Sequence, residues 1–431
     1  MLIAKSCSHT LAFMKTGKSN DNMIYDVIIY GASSFTGKLI TVYFYNNYPN
    51  SENFSWAIAG RNPEKLKKIL YQIIDNNSHY NGTKIPIITA DSDDAVALDK
   101  LTSQTKVILT TVGPYAKFGS KLVQSCVSNG TDYCDLAGET QWIRKMIDMH
   151  QEEAEKNGSR IVHSCGFDSI PSDLGVFFMQ REALKRFQQP LKKISLFVKA
   201  MKGGASGGTV ASILNVIIEG GKNRDTAKIV AHPYSLNPRD EMTGPDKYDQ
   251  RSSKYNETIN AWTAPFIMAA INTRIVRRTN ALLNYRYGKD FSYSESVISG
   301  KKISGSLKAK FLTLTIGLFY ILSSISFTRK CFIEKLLPKP GQGPNAHQRK
   351  TGFFKLLLIG KTKDNQQLTI EVCGDRDPGY GSTSKMLSET AICLACDEVE
   401  TKGGVWTPAS ALSEKLISRL QTKAGVTFKI L

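Results

Sequence analysis

Tyr25-Asp26-Val27-Ile28-Ile29-Tyr30 runs directly into Gly31-Ala32-Ser33-Ser34-Phe35-Thr36-Gly37, and this junction decides the fold. The first six residues are rich in β-branched and aromatic side chains and end at a glycine, as a strand feeding a tight turn does. The apolar run over residues 36–45 then reads as a helix. Gly31 allows a sharp turn out of the strand, and Gly37 allows a helix to pack close to the sheet. The helix N-terminus and the amides of the turn would then face a pyrophosphate. A glycine pattern alone says little, but one set between strand and helix in a β-α-β unit predicts a dinucleotide site. Gly31, Ser33, Ser34, Phe35, Thr36 and Gly37 are therefore the candidate phosphate-binding residues.

The same rhythm continues outward. Further strands are expected at residues 54–60, 85–89, 106–112, 132–136 and 160–164, and helices from Pro63 and over residues 120–128 and 141–156. Such alternation implies an α/β fold, a Rossmann-type doubly wound parallel sheet with helices on both faces. Ligands bind at the carboxyl ends of such strands, so the loops there carry the chemistry. The second strand ends in Gly60-Arg61-Asn62, with no carboxylate to bond ribose hydroxyls. Arg61 can instead pair bidentately with a 2′-phosphate, which favours NADP over NAD. The fourth strand runs into Thr111-Val112-Gly113-Pro114-Tyr115, which places Val112, Gly113 and Pro114 near the nicotinamide ribose.

From about residue 172 the rhythm changes to a long helix, a strand over residues 194–199, a glycine-rich segment and further strands. The expected organisation is a disordered extension over residues 1–23 and a dinucleotide-binding domain over 24–171. A second α+β domain for substrate and dimerisation follows over 172–395, and a C-terminal segment covers 396–431. Residues 1–22 carry Lys5, Lys15 and Lys18 but no arginine, which disfavours a mitochondrial transit peptide.

The 431 residues are 41% hydrophobic and 22% charged, which is a folded chain of two ordinary domains. Of the formal charge of +18, much lies in residues 301–363, where thirteen Lys or Arg accompany one acid, Glu334. No nucleic-acid module accompanies that charge, so nucleic acid is excluded as the partner. Eight scattered cysteines fit a reducing compartment. Cys393 and Cys396 have zinc spacing without a second pair, so they read as small core residues and no metal is expected. Within the basic stretch, residues 311–328 carry no charge, flanked by Lys308, Lys310, Arg329 and Lys330. A spanning helix needs about 20 apolar residues, and this run contains three serines and three threonines. It suits a hydrophobic insert lying in a membrane or lipid-droplet surface that faces the cytosol, with its lysines on phosphates. The alternative is a buried core or dimer helix.

The chain resembles the saccharopine dehydrogenase-like oxidoreductases, a family grouped with bacterial trans-acting enoyl reductases. The matching blocks are residues 31–37, 59–61 and 111–115, then Tyr133-Cys134-Asp135-Leu136-Ala137-Gly138-Glu139 and Gly166-Phe167-Asp168-Ser169-Ile170-Pro171-Ser172-Asp173. Residues 206–209, 377–380 and 403–408 complete the set. Where that family has glycine in the middle of the first turn, this chain has Ser34. The resemblance implies a nicotinamide-dependent oxidoreductase with a lipid-like or long-chain substrate, and a C-terminal segment over 396–431 that returns to the first domain. The alternative is a catalytically inactive nucleotide-binding scaffold at a lipid surface. Sheet-end loops offer Tyr115, Asp135, Glu139, His163, Asp168 and Ser169 for proton transfer. Asp168 and Tyr115 are the expected catalytic pair; the competing reading makes Asp168 and Ser172 caps of the following helix.

Overall fold

A computed structural model describes residues 24–75, 84–204, 207–336 and 343–431. The extension over residues 1–23 lies outside the described residues.

Six strands build the first layer in chain order: β1 (Tyr25–Tyr30), β2 (Trp56–Gly60), β3 (Ile87–Thr89), β4 (Thr105–Thr110), β5 (Asp132–Cys134) and β6 (Arg160–Val162). All pair in parallel, in the order 3-2-1-4-5-6. Both faces are covered, as a parallel sheet requires. Along β1, Val27 and Ile29 join one core cluster while Ile28 and Tyr30 join the other, and all four are at most 2% exposed. Each such side chain stabilises the fold by about 1.5–3 kcal/mol. The strand order reverses between β1 and β4, and a crevice opens at their carboxyl ends.

The second layer holds β7 (Lys193–Lys202), β8 (Lys254–Asn256), β9 (Ala261–Pro265), β10 (Ser292–Gly300), β11 (Phe353–Lys361) and β12 (Gln367–Gly374). It is mixed: β7 and β10 pair in parallel, and the other neighbours are antiparallel. The end of the chain divides between the layers. β13 (Gly404–Trp406) extends the first sheet beside β6, and β14 (Val426–Ile430) extends the second beside β12. The helix Thr383–Cys396 packs on the helix Phe35–Asn47 and on β1 and β4, so it covers the first sheet although it follows the strands of the second. Cys393 is buried in that helix, whereas Cys396 is exposed.

The apolar run lies in one helix, Lys302–Ser324, which starts earlier than residue 311 and ends where Ile325 turns extended. Lys308 and Lys310 do not stop it, because their long stems carry the charge away from the helix surface. The helix packs on β9, β10 and the helix Gly207–Lys222. It is long and apolar enough to cross a membrane by length and composition. It is not a core helix, since of its residues only Gly305, Ala309 and Ser323 are buried. Ile303, Leu307, Phe311, Leu314, Leu318, Ile321 and Ile325 form an exposed stripe at helical spacing, with Phe311 72% exposed.

Candidate functional site

The first turn is built as its glycines require. Gly31 has φ +85°, and a Cβ there would come within 2.6 Å of the Val112 side chain. A Cβ on Gly37 would sit 2.2 Å from the Gly31 carbonyl oxygen, so the helix meets the turn closely enough to exclude any side chain. Ser34 is the N-cap: its hydroxyl accepts the Gly37 amide at 2.8 Å and bonds the Thr111 hydroxyl at 2.9 Å. Its own amide donates to the Gly31 carbonyl. Phe35 and Thr36 follow as the first helical residues, whose amides have no acceptor within the helix. Ser34, Phe35 and Thr36 line a cavity of about 150 Å³, as do Thr111, Gly113, Tyr115 and Asp168. Gly31, Ser33, Gly37, Val112 and Pro114 shape the loops behind that wall.

Arg61 stands exposed just past β2, where its charge reaches the Tyr30 phenol. Among the described residues it makes no ion pair. That leaves a free guanidinium at the strand end.

The loop after β4 is clamped from below. The Gly113–Pro114 peptide is cis. Glu139 accepts the Tyr115 amide at 2.7 Å and the Ala116 amide at 3.0 Å, and takes the Ser212 hydroxyl at 3.0 Å. Burial raises the Glu139 carboxyl, and these donors pull it back. The Tyr115 hydroxyl donates to the Thr110 carbonyl and accepts the Leu136 amide. Its burial holds the phenol protonated well above the ordinary tyrosine range. The ring packs on Trp142, with centroids 5.5 Å apart. Tyr115 therefore gives the cavity a wall, with its hydroxyl committed to the backbone.

Asp135 is committed too. It accepts His163 Nδ1 at 2.7 Å, the Tyr133 hydroxyl at 3.0 Å and the amides of Ala137 and Ser164. His163 is buried in this network, and Ser169 bonds Asn272.

Asp168 differs from every other carboxylate nearby. It lines the cavity, and among the described residues it has neither hydrogen bond nor ion pair. Desolvation pushes its pKa up to about 6. The N-cap of the helix Ile170–Phe187 is Ser169, without a side-chain cap bond, so Asp168 does not serve that helix. Tyr380, from the motif at residues 377–380, closes the opposite side with its ring 4.5 Å from that of Phe35. Sequence reasoning gave Tyr380, Ser212, Ile213 and Met268 no role in this wall, because they reach it only through the packing of the second layer. Among the described residues no cluster of metal-ligating side chains occurs.

Residues 27–162 match the family described as the saccharopine dehydrogenase NADP binding domain. A putative trans-acting enoyl reductase of Mycobacterium tuberculosis is 34% identical over 415 residues, covering 94% of this chain and 97% of that protein. The chain belongs to the saccharopine dehydrogenase-like oxidoreductases. A trans-acting enoyl reductase of Mycobacterium ulcerans is 32% identical over 408 residues, covering 92% of this chain and 95% of its own. The fold is shared with apo saccharopine dehydrogenase (L-Glu forming) of Saccharomyces cerevisiae, at a TM-score of 0.51 and 11% identity over 94% of this chain and all of that one. This saccharopine dehydrogenase-like protein is thus a nicotinamide-dependent oxidoreductase whose first domain is an NADP-binding module. Its residues fit that cofactor. The cradle at Gly31 and Gly37 excludes every Cβ, the amides of Phe35 and Thr36 are free of helical partners, and Arg61 offers an unpaired cation.

Proposed function

We propose that this protein is an NADP-dependent reductase of a lipid-like substrate, working at a membrane or lipid-droplet surface facing the cytosol. One observation carries the reading: the phosphate turn and an unpartnered carboxyl, Asp168, line the same cavity. In this reading Phe35 and Thr36 hold the pyrophosphate through their amides, Arg61 holds the 2′-phosphate, and Val112, Gly113 and Pro114 lie against the nicotinamide ribose. NADPH held there would supply the hydride chemistry for a polarised double bond. Asp168 supplies the matching proton, for which a pKa of about 6 suits a group working near neutral pH. Tyr115 shapes the pocket and holds the loop. The relatives named trans-acting enoyl reductases support a carbon–carbon double bond as the reacting group.

The surface supports the location. The part of the exposed stripe from Phe311 to Ile325 lies between Lys301, Lys302, Lys308 and Lys310 on one side and Lys330 on the other. Burying several large side chains, each worth about 1.5–3 kcal/mol, beside lysines worth about 1 kcal/mol each at an anionic surface gives stable anchoring. The test is flotation of the intact protein with vesicles of phosphatidylcholine and phosphatidylserine, combined with NADPH consumption over a total lipid extract. The wild type is expected to float, and a triple Leu314→Ser, Leu318→Ser, Ile321→Ser variant to stay behind with NADPH binding intact. A wild type that ignores vesicles overturns the surface location, and one that binds NADPH but consumes none with any lipid fraction overturns the reductase reading.

A further inference from the structure

Beside the cavity that holds Asp168 lies a larger one of about 590 Å³, within the roughly 300–1,000 Å³ of small-molecule sites. The two cavities share Gly138, Ile213 and Met268 in their walls. The larger chamber, open on one side, is lined by the helix Gly207–Lys222, the start of the helix Ala269–Leu282 and the helix Lys302–Ser324.

Most of the polar groups whose bonds are resolved in its wall, Arg251 apart, are turned on the protein itself. The Thr313 hydroxyl donates to the Ala309 carbonyl and the Ser324 hydroxyl to the Tyr320 carbonyl, each at 2.8 Å. Gln250 donates to the Ser252 carbonyl at 2.9 Å, and Arg274 pairs with Asp249. What such a wall offers an occupant is chiefly apolar surface, so the occupant is chiefly apolar.

Two helix glycines keep the chamber open. A Cβ on Gly317 would meet nothing within 4 Å, and one on Gly220 would meet Ala227 at 3.9 Å. Glycine inside a helix costs stability, and here the space it leaves is not filled by a neighbour. The helix that bears Gly317 therefore has two apolar duties. Ile316, Gly317 and Tyr320 line the chamber, while Leu314, Leu318 and Ile321 form the exposed stripe.

We propose that this chamber holds the alkyl chain of the substrate, whose reactive end passes between Gly138, Ile213 and Met268 to reach Asp168. The assignment of a reacting end rests on the reductase reading above; the binding of a chain does not. The helix Lys302–Ser324 is then both the contact with the lipid surface and the wall of the chain site, so a chain moves from lipid to chamber across a single element. Met268, unbranched and flexible, suits a position that a chain must pass.

The test is titration of hexadecanol, delivered from cyclodextrin, into the full-length protein with NADPH bound. Calorimetry reads binding, and nicotinamide fluorescence reads arrival at the first cavity. Saturable binding with a fluorescence change is expected. Gly317→Phe fills the chamber from a position where an added Cβ meets no neighbour, and is expected to weaken hexadecanol at least about tenfold while NADPH affinity and flotation stay unchanged. Ile316→Trp gives the same reading should Gly317→Phe fail to fold. Unchanged hexadecanol affinity in a folded chamber variant overturns the proposal. So does loss of hexadecanol in the triple stripe variant with retention in Gly317→Phe, because the chain would then lie on the outer face. Binding without a fluorescence change overturns the passage between Gly138, Ile213 and Met268. Saturable hexadecanol binding by a protein that reduces no lipid would instead sink the reductase reading and leave the chamber standing.

Discussion

Asp168 carries a carboxyl that the fold does not use, whereas the nearby Asp135 and Glu139, outside the cavity wall, are held by several hydrogen bonds each. That difference has a pH signature. Burial raises the Asp168 pKa from the ordinary carboxylate value near 4 to about 6. The folded state thus holds this proton more tightly than the unfolded state does. Stability from this group is full below about pH 4, is lost as pH rises through about 6, and leaves the folded state carrying a buried charge above that. Asp168→Asn removes the charge, so the variant is expected to be more stable near pH 7.5, by about 1–2 kcal/mol, and to melt at a higher temperature. Its reductase turnover is expected to fall by about a hundredfold or more, the size of a lost proton donor. The wild-type rate should decline as pH rises above about 6, and the variant should lose that dependence. Earlier melting with normal turnover would return Asp168 to a structural role. Gly31 and Gly37 were legible at this scale because a turn and a helix start are local events. The commitment of the Tyr115 hydroxyl was not, because its partners Thr110 and Leu136 lie at the ends of two different strands. Nor was the freedom of Asp168, which depends on the helix taking Ser169 as its cap.

The elements of the first sheet were readable because strand and helix patterns alternate locally, and the first step carries its own glycine turn and Ser34 cap. The helix Ala95–Thr102 was missed, although Asp94 caps it by accepting the amides of Val96 and Ala97, a signal the sequence does display. The helix Lys302–Ser324 was legible only as an uncharged run. Its start depends on Gly305, which lies so close to β10 that a Cβ would sit 2.2 Å from the Gly300 carbonyl oxygen. Two substitutions on this helix should therefore behave oppositely. Gly305→Val forces the helix off β10 and is expected to lower the melting temperature of the purified protein by several degrees. Leu314→Ser lies on the exposed stripe and should change stability by no more than about 0.5 kcal/mol. Equal melting of both variants in a thermal scan would mean that the helix does not dock as described.

At the scale of the molecule, chain order and spatial order part company. The sequence rhythm places a boundary near residue 172, and the strands respect it, yet the helix Thr383–Cys396 and β13 return to the first sheet while β14 goes to the second. Glu389 shows why no local pattern reveals this. It accepts the hydroxyls of Tyr43 and Tyr48 and pairs with Arg419, tying the helix Phe35–Asn47 to the helix Pro408–Arg419. Such contacts span more than three hundred residues and leave no periodicity to read. The same interleaving brings Tyr380, Ile213 and Met268 to a cavity whose other wall is the phosphate turn. The account rests on that turn and the cation beside it holding NADP. Calorimetric titration of the intact protein with NADPH and with NADH, repeated on Arg61→Ala, tests it most directly. Wild type is expected to bind NADPH about tenfold or more tightly than NADH, and the variant to lose most of that difference while keeping NADH affinity. Equal affinity for the two nucleotides, unchanged by the substitution, would contradict the assignment of Arg61 and of the turn it accompanies.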